Sequence, residues 1–423
     1  MLQRTLTTLV TSALLGAVLL IAPAPTAAAS GTFTASTISA GDEHTCALDA
    51  SGSAWCWGDN SSYNGELGDG LARPGFQSRP QAVAGGLKFT SISATGDHTC
   101  AITSTGAAYC WGENDNGELG DETTENKFTP TAVTGGLRFL MISSGDDHTC
   151  GITLTGATYC WGRNDYGQLG NGTYDDSDAA GPQAVAGGLQ FTAVNAGNEH
   201  TCAITSAGAA YCWGGNGYGE LGDGTFGTDR LTPTAVSGGL KFTSVDAGDW
   251  TTCALTSAGA AYCWGADWAG SRGTGGYGPA TMPQAVIGGL KFISISTGDD
   301  HTCALTSAGA AYCWGENGTG ELGDGTTNGS NAAGPRAVRG NLVFVTVIAN
   351  AHSGGNWSCG ITTAGDAYCW GNNGYGALGD GSFRSSLNGG PRLVTGGHRW
   401  ALGPNASICD RSSRGRERCR PTR

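Results

Sequence analysis

Seven times along this chain a Cys stands ten positions before another Cys, and Trp-Gly follows the second at once. Cys46 precedes Cys56, Cys100 precedes Cys110, Cys150 precedes Cys160 and Cys202 precedes Cys212. Cys253 precedes Cys263, Cys303 precedes Cys313 and Cys359 precedes Cys369 in the same way. The gaps between successive Trp-Gly pairs are 54, 50, 52, 51, 50 and 56 residues. Self-similarity at such a period means stacked copies of one supersecondary unit. The second copy reads as four strands: "GLKFTSISA", "HTCAIT", "AAYCWG" and, after a long loop, "TPTAV". Short runs of alternating apolar character divided by Gly clusters are strand signals. A lone four-stranded unit cannot bury both faces, but seven arranged round an axis can. The expectation is an all-β seven-bladed β-propeller with four antiparallel strands per blade. Its units fall at about 33–86, 87–136, 137–188, 189–239, 240–289, 290–341 and 342–397.

The ends read differently. Arg4, the apolar run from Leu9 to Ile21 and the small residues Ala27-Ala28-Ala29 have the form of a secretory signal peptide over 1–29, cleaved before Ser30. The run is shorter than the roughly 20 residues a spanning helix needs, so a secreted, extracellular protein without a membrane span is expected. In an oxidising compartment 16 Cys read as a disulfide framework. Within "CAITSTGAAYC", the turn Ser104-Thr105-Gly106 fits a three-residue hairpin loop with Gly in the left-handed position. Cys100 then lies opposite Cys110 at a non-hydrogen-bonded site, where Cα atoms approach to about 4.5 Å, within disulfide reach. The same argument joins Cys46 to Cys56, Cys150 to Cys160, Cys202 to Cys212, Cys253 to Cys263, Cys303 to Cys313 and Cys359 to Cys369. A hairpin with one pair of thiolates is a poor zinc site.

The strings after each Trp-Gly, "WGENDNGELGD", "WGRNDYGQLGN", "WGGNGYGELGD", "WGENGTGELGD" and "WGNNGYGALGD", resemble the signature of the regulator of chromosome condensation repeat family. So does the preceding "AGxxHTCAL", and the resemblance covers 33–397. Unit five departs from it with "WGADWAGSRGTGG" and with Trp250-Thr251 in place of an acid and His; unit seven reads "GGNWSCGI". The resemblance implies a propeller. Through its name-giving member it implies guanine-nucleotide exchange on a nuclear-transport GTPase and docking on chromatin. Secreted propellers of the β-lactamase-inhibitor type are also similar and imply an enzyme inhibitor working through one face of the ring.

Charge argues against chromatin. Residues 30–409 carry 15 basic and 33 acidic side chains, and so acidic a body repels nucleic acid and anionic membranes. The repeated His44, His98, His148, His200 and His301 suggest a recurring structural hydrogen bond to neighbouring backbone rather than catalysis. No isolated Ser, His and Asp set or phosphate-binding loop is present, so no enzyme activity and no cofactor are expected. Acidic turns at Asp42, Glu43, Asp146, Asp147, Asp299 and Asp300, with Glu66, Glu118, Glu220 and Glu321, leave calcium as a minor alternative. However, no Asp-x-Asp-x-Asp loop supports it.

The expected function is therefore an interaction scaffold, a monomer binding an unidentified protein partner. Loops after "GELGDG" vary between units and share a face with the acidic turns, so this face is where a partner is read. Its aromatic anchors are Trp250, Trp268, Trp357, Tyr63, Phe76, Tyr174, Phe226 and Tyr277. At 398–423, an Arg-rich tail or partial eighth unit, Cys409 and Cys419 repeat the ten-residue spacing. Ring closure by Phe33 to Ala40 with a free tail is preferred over a strand around Trp400 completing the seventh blade.

Overall fold

The computed structural model describes residues 37–402, apart from 61–63, 73–74, 175–178, 328, 330, 351–355 and 387–388, and the backbone of two strands beyond. The leader expected at 1–29 lies outside the described residues. In blade 1, β1 (Ile38–Ala40), β2 (His44–Leu48), β3 (Ala54–Gly58) and β4 (Gln77–Ala82) form one antiparallel sheet in sequence order. Blade 2 repeats it with β5 (Phe89–Thr95), β6 (His98–Thr103), β7 (Ala108–Gly112) and β8 (Lys127–Ala132). Five more four-stranded sheets follow over 139–184, 191–235, 242–285, 294–337 and 344–393, and no helix occurs among the described residues.

The hairpin register follows from the turn. Thr103 N donates to Ala107 O at 2.9 Å, and Gly106 takes φ 81°. Cys100 then faces Cys110 directly, and the two are disulfide-bonded. The other six expected pairings form as well. Cys46 is bonded to Cys56, Cys150 to Cys160 and Cys202 to Cys212. Cys253 is bonded to Cys263, Cys303 to Cys313 and Cys359 to Cys369. In every pair the Cα atoms lie 4.1 Å apart, closer than the expected spacing, and each of these cysteines is fully buried. Beyond the propeller, Ser407–Arg411 pairs antiparallel with Glu417–Pro421, placing Cys409 opposite Cys419.

Blades are latched to one another by polar bonds as well as by apolar packing. The Trp161 indole of blade 3 donates to the Glu118 carbonyl of blade 2 at 2.7 Å, and Thr149 donates to the same carbonyl at 2.9 Å. Trp57, Trp111, Trp213, Trp264, Trp314 and Trp370 donate likewise to Ala377, Glu66, Gln168, Glu220, Ser271 and Glu321. Every "CWG" tryptophan is fully buried, so each latch supplies the partner a buried indole N–H requires.

Closure is shared by both ends of the chain. In blade 2 the innermost strand begins at Phe89, opposite Thr103, and continues past a bulge to Ile92 and Ala94. In blade 1 Trp400 pairs with Asp49, the equivalent of Thr103, while Ile38 and Ala40 supply the upper half of the strand. The Trp400 ring packs 5.7 Å from Trp57, as Phe89 does 6.0 Å from Trp111. The preference for N-terminal closure alone is thus corrected, and so is the seventh blade as the site of Trp400. It completes the first, where its ring takes the place against Trp57 that Phe89 takes against Trp111.

Candidate protein-binding face

Connections between first and second strands, and between third and fourth, emerge on one face of an antiparallel blade; call it the loop face. The opposite face carries tight hairpins, whose glycine carbonyls accept from the next blade: Gly52 from Phe89 N at 2.8 Å, Gly106 from Phe139 N at 2.7 Å.

A fixed frame underlies the loop face. The buried Asn114 side chain accepts from Leu119 N at 2.9 Å and donates to Thr123 O at 2.9 Å and Glu125 O at 3.1 Å. Asn164 and Asn373 hold their loops in the same way. Asp121 then accepts from Thr123 N at 3.0 Å. The frame closes where the Asn126 side chain accepts from Asn114 N at 2.9 Å, and the repeats diverge between these fixed points.

The repeated histidines belong to the frame too. His98 Nε2 meets Thr149 Oγ1 of the next blade at 2.8 Å, and His44, His148, His200 and His301 meet Thr99, Thr201, Thr252 and Ser358 at 2.8–2.9 Å. The partner at Nε2 is a hydroxyl of the following blade, and at His98 the expected backbone bond is made as well, to Asp146 of that blade. Thr149 spends its only proton on Glu118 O, so His98 Nε2 must be the donor. Complete burial pushes these imidazoles down, to about 3 at His44 and about 4 at His98, which suits a neutral structural donor.

In blade 7 Trp357 fills the histidine position, and its indole donates to Thr45 Oγ1 of blade 1 at 3.1 Å. It is 1% exposed among Trp57, Ile361, Leu378 and Trp400. Trp357 is therefore removed from the partner-binding set: it seals the ring.

Blade 5 departs from the frame in a compensated way. Where blade 2 has Asn114 and buried Leu119, blade 5 has Asp267 and Arg272. Arg272 Nε lies 3.3 Å from Asp267 Oδ2, with both side chains buried. The guanidinium also donates to Gln284 at 2.8 Å and to Gly278 O at 2.6 Å. On the frame so held, Trp250 and Trp268 meet Tyr218 of blade 4. Ring centroids lie 5.4 Å (Tyr218–Trp250), 4.9 Å (Tyr218–Trp268) and 6.2 Å (Trp250–Trp268) apart. Trp268 remains 54% exposed and Trp250 is half-buried.

Tyr174, Phe226 and Tyr277 stand exposed at equivalent loop positions of blades 3, 4 and 5. Phe383 takes that position in blade 7, exposed and grouped with Phe76 and Tyr375 at 6.3 Å and 5.5 Å from Phe76. Tyr218, Tyr375 and Phe383 were not singled out in the sequence; aligning the loops by column finds them. Tyr63 lies outside the described residues. Exposed apolar side chains on the hairpin face, such as Leu154 and Ile293, are aliphatic.

Among the described residues no three His, Cys, Asp or Glu side chains converge to hold a metal. Of the calcium alternatives, Asp147 pairs instead with Arg163 at 2.8 Å, and Asp146, Asp299 and Asp300 join no such group. An open cleft of about 720 Å³ between blades 6 and 7 is lined by Arg339, Tyr368, Ser386 and Arg392.

A profile of the RCC1-like domain matches residues 21–243, more than half of the chain, and regulator of chromosome condensation (RCC1) repeats match 242–267 and 292–321. The chain belongs to the RCC1-like family. It is 35% identical to the ultraviolet-B receptor UVR8 of Arabidopsis thaliana over 245 residues, 56% of this chain and 54% of the receptor. With the E3 ubiquitin-protein ligase HERC2 of Homo sapiens it shares 30% over 248 residues, 56% of this chain but 5% of the ligase. The matched segment thus spans about half the length of one curated relative and a small part of the other. Prp20p of Saccharomyces cerevisiae superposes with a TM-score of 0.72 at 22% identity, covering 87% of this chain and 88% of its own. Human WBSCR16 gives 0.71 at 20%, covering 82% and 96%. At these identities the two structures establish the fold.

Proposed function

We propose that this RCC1-like propeller is a non-catalytic, exported protein-binding ring that holds a partner on the loop face of blades 4 and 5. The observation that carries the reading is the cluster of Tyr218, Trp250 and Trp268. It occurs where blade 5 abandons the repeat pattern, and one of its indoles stands exposed on a frame rigidified by the Asp267–Arg272 pair. Aromatics on a rigid support are the commonest interface anchors, because they bury much area at small entropic cost. The flanking Phe226 and Tyr277 extend the surface. Export is supported by seven disulfides, a framework suited to an oxidising compartment.

Relatives of this fold engage unlike molecules. Prp20p was described with its binding to Gsp1p and histones, and HERC2 is a ubiquitin ligase. Nucleotide exchange here would rest on fold alone, and fold does not choose a partner. The test is capture of a culture-medium protein on the immobilised propeller, followed by Trp250→Ala and Trp268→Ala. Retained capture by both variants rejects this site, and stimulated nucleotide release from a GTPase rejects the scaffold reading in favour of exchange.

A further inference from the structure

On the loop face two side-chain columns meet in every blade: the residue before the His position and the residue after Trp-Gly. The same backbone bond sets them together, Asp59 N to Glu43 O at 2.9 Å in blade 1, Glu113 N to Asp97 O at 2.9 Å in blade 2, and Arg163 N to Asp147 O at 2.8 Å in blade 3. In blade 3 the pair is complementary. Arg163 Nη1 bonds Asp147 at 2.8 Å and its Nε reaches Asp165, while the side chain stays 36% exposed. In blades 1 and 2 the same geometry sets acid against acid.

The crowding is felt. Burial first, then the hydrogen bond that the protonated Glu43 carboxyl donates to Asp59, pushes Glu43 up to about 8, with the Tyr375 phenol pulling the other way. Burial, then Asp97, Glu118, Asp147 and Asp115, raises Glu113 to about 8. Asp97 is raised to about 7 by burial and by Asp42, Asp146 and Asp59, against Asn64. An independent sign points to a missing cation. Glu66, 2% exposed, sits against Asp97 and Asp59, and its Oε2 has no protein partner. In blade 3 that position is the neutral Gln168, whose Oε1 accepts from Tyr166 N at 3.0 Å.

We propose that the acid-on-acid pairs of blades 1 and 2, Glu43 with Asp59 and Asp97 with Glu113, receive arginine side chains of a partner protein, in the geometry Arg163 adopts in blade 3. The inference rests on the reading of the loop face as a protein-binding surface and supplies the partner's chemistry. Arginine fits better than lysine. Its planar fork bonds two carboxylates at once, as Arg163 does, and stacks on aromatic rings. Such rings are at hand: Tyr375 bonds Glu43, and Phe76 and Phe383 group with it. Because the carboxyls give up protons to bind, affinity rises with pH between about 6 and 9 while arginine stays charged.

The test uses the disulfide-bonded protein and a fluorescein-labelled hexa-arginine peptide, followed by anisotropy. Asp59→Arg combined with Glu113→Arg should fill both pairs from within. Binding then falls by about tenfold or more, the equivalent of losing one or two charge-assisted bonds, without loss of melting temperature. Asp69→Arg combined with Glu125→Arg changes net charge equally on outer loops and should alter affinity by less than about threefold. Should the first variant misfold, Asp59→Asn combined with Glu113→Gln decides by the same criterion. Absent binding, equal loss in both charge-matched variants, or hexa-lysine binding as tightly as hexa-arginine overturns the proposal. None of these outcomes bears on capture through Trp250 and Trp268, which is read separately.

Discussion

Truncating Trp357 should loosen the ring without touching the binding face. Its indole fills the junction where the last blade meets the first, among Ile38, Trp57, Leu378 and Trp400, and it donates the hydrogen bond to Thr45 that histidine supplies elsewhere. Trp357→Ala removes a fully buried aromatic, a change that costs about 3–5 kcal/mol in a core that relaxes only partly. The unfolding entropy near the transition is about 2.1 cal/mol/K per residue, or roughly 0.8 kcal/mol/K over residues 37–402, so Tm should fall by about 4–6 °C. Trp357→His restores the donor but not the volume and should lie between wild type and the alanine variant. Calorimetry on oxidised protein reads both. A Tm within about 1 °C of wild type for Trp357→Ala, or weaker partner binding at unchanged Tm, would refute the assignment of this residue to ring closure.

Three further outcomes follow. Trp250→Ala and Trp268→Ala should each weaken partner binding by about 1 kcal/mol or more, roughly fivefold, while the disulfides and Tm stay nearly unchanged in titration and melting. Replacing Cys100 and Cys110 together by Ser should cost about 2–3 kcal/mol in denaturant unfolding through the released loop entropy, and peptide mapping should find the other six links intact. Stability should peak near about pH 5–6.5. The buried histidines are lowered to about 3–4, so the stability they lend is present above their unfolded value and lost as pH falls. Glu43, Glu66 and Glu113 are raised to about 8, so theirs is present at low pH and lost as pH rises through that value. Glu66→Gln, the residue blade 3 uses, should flatten the alkaline limb of a Tm–pH profile; an unchanged limb contradicts the burial argument.

The fold was legible because one spacing recurs seven times and because the hairpin turn fixes which Cys faces which. What stayed hidden depends on contacts between units. Trp357 read as a surface aromatic because it was taken alone. Placed under the histidines of the other units, it occupies their position and makes their bond. Closure was half-legible: "GGHRW" aligns with "GGLKF", but only three dimensions show one strand built from both chain ends. The aromatic cluster was partly visible in Trp250 and Trp268, whereas Tyr218 was concealed inside a regular "GYGELG" string. Acidic turns gave no sign of which carboxylates face one another, since the pairs join residues 16 apart through a backbone bond.

The central claim is that a protein is read by the loop face of blades 4 and 5, and site-specific photocrosslinking tests it most directly. A benzophenone amino acid is placed at Trp268 on that face or at Leu154, which is 60% exposed in a hairpin on the opposite face. With culture-medium protein present, position 268 should give a discrete crosslinked partner that excess unlabelled propeller competes away, and position 154 should give none. A partner crosslinked equally from both positions, or from 154 alone, contradicts the account.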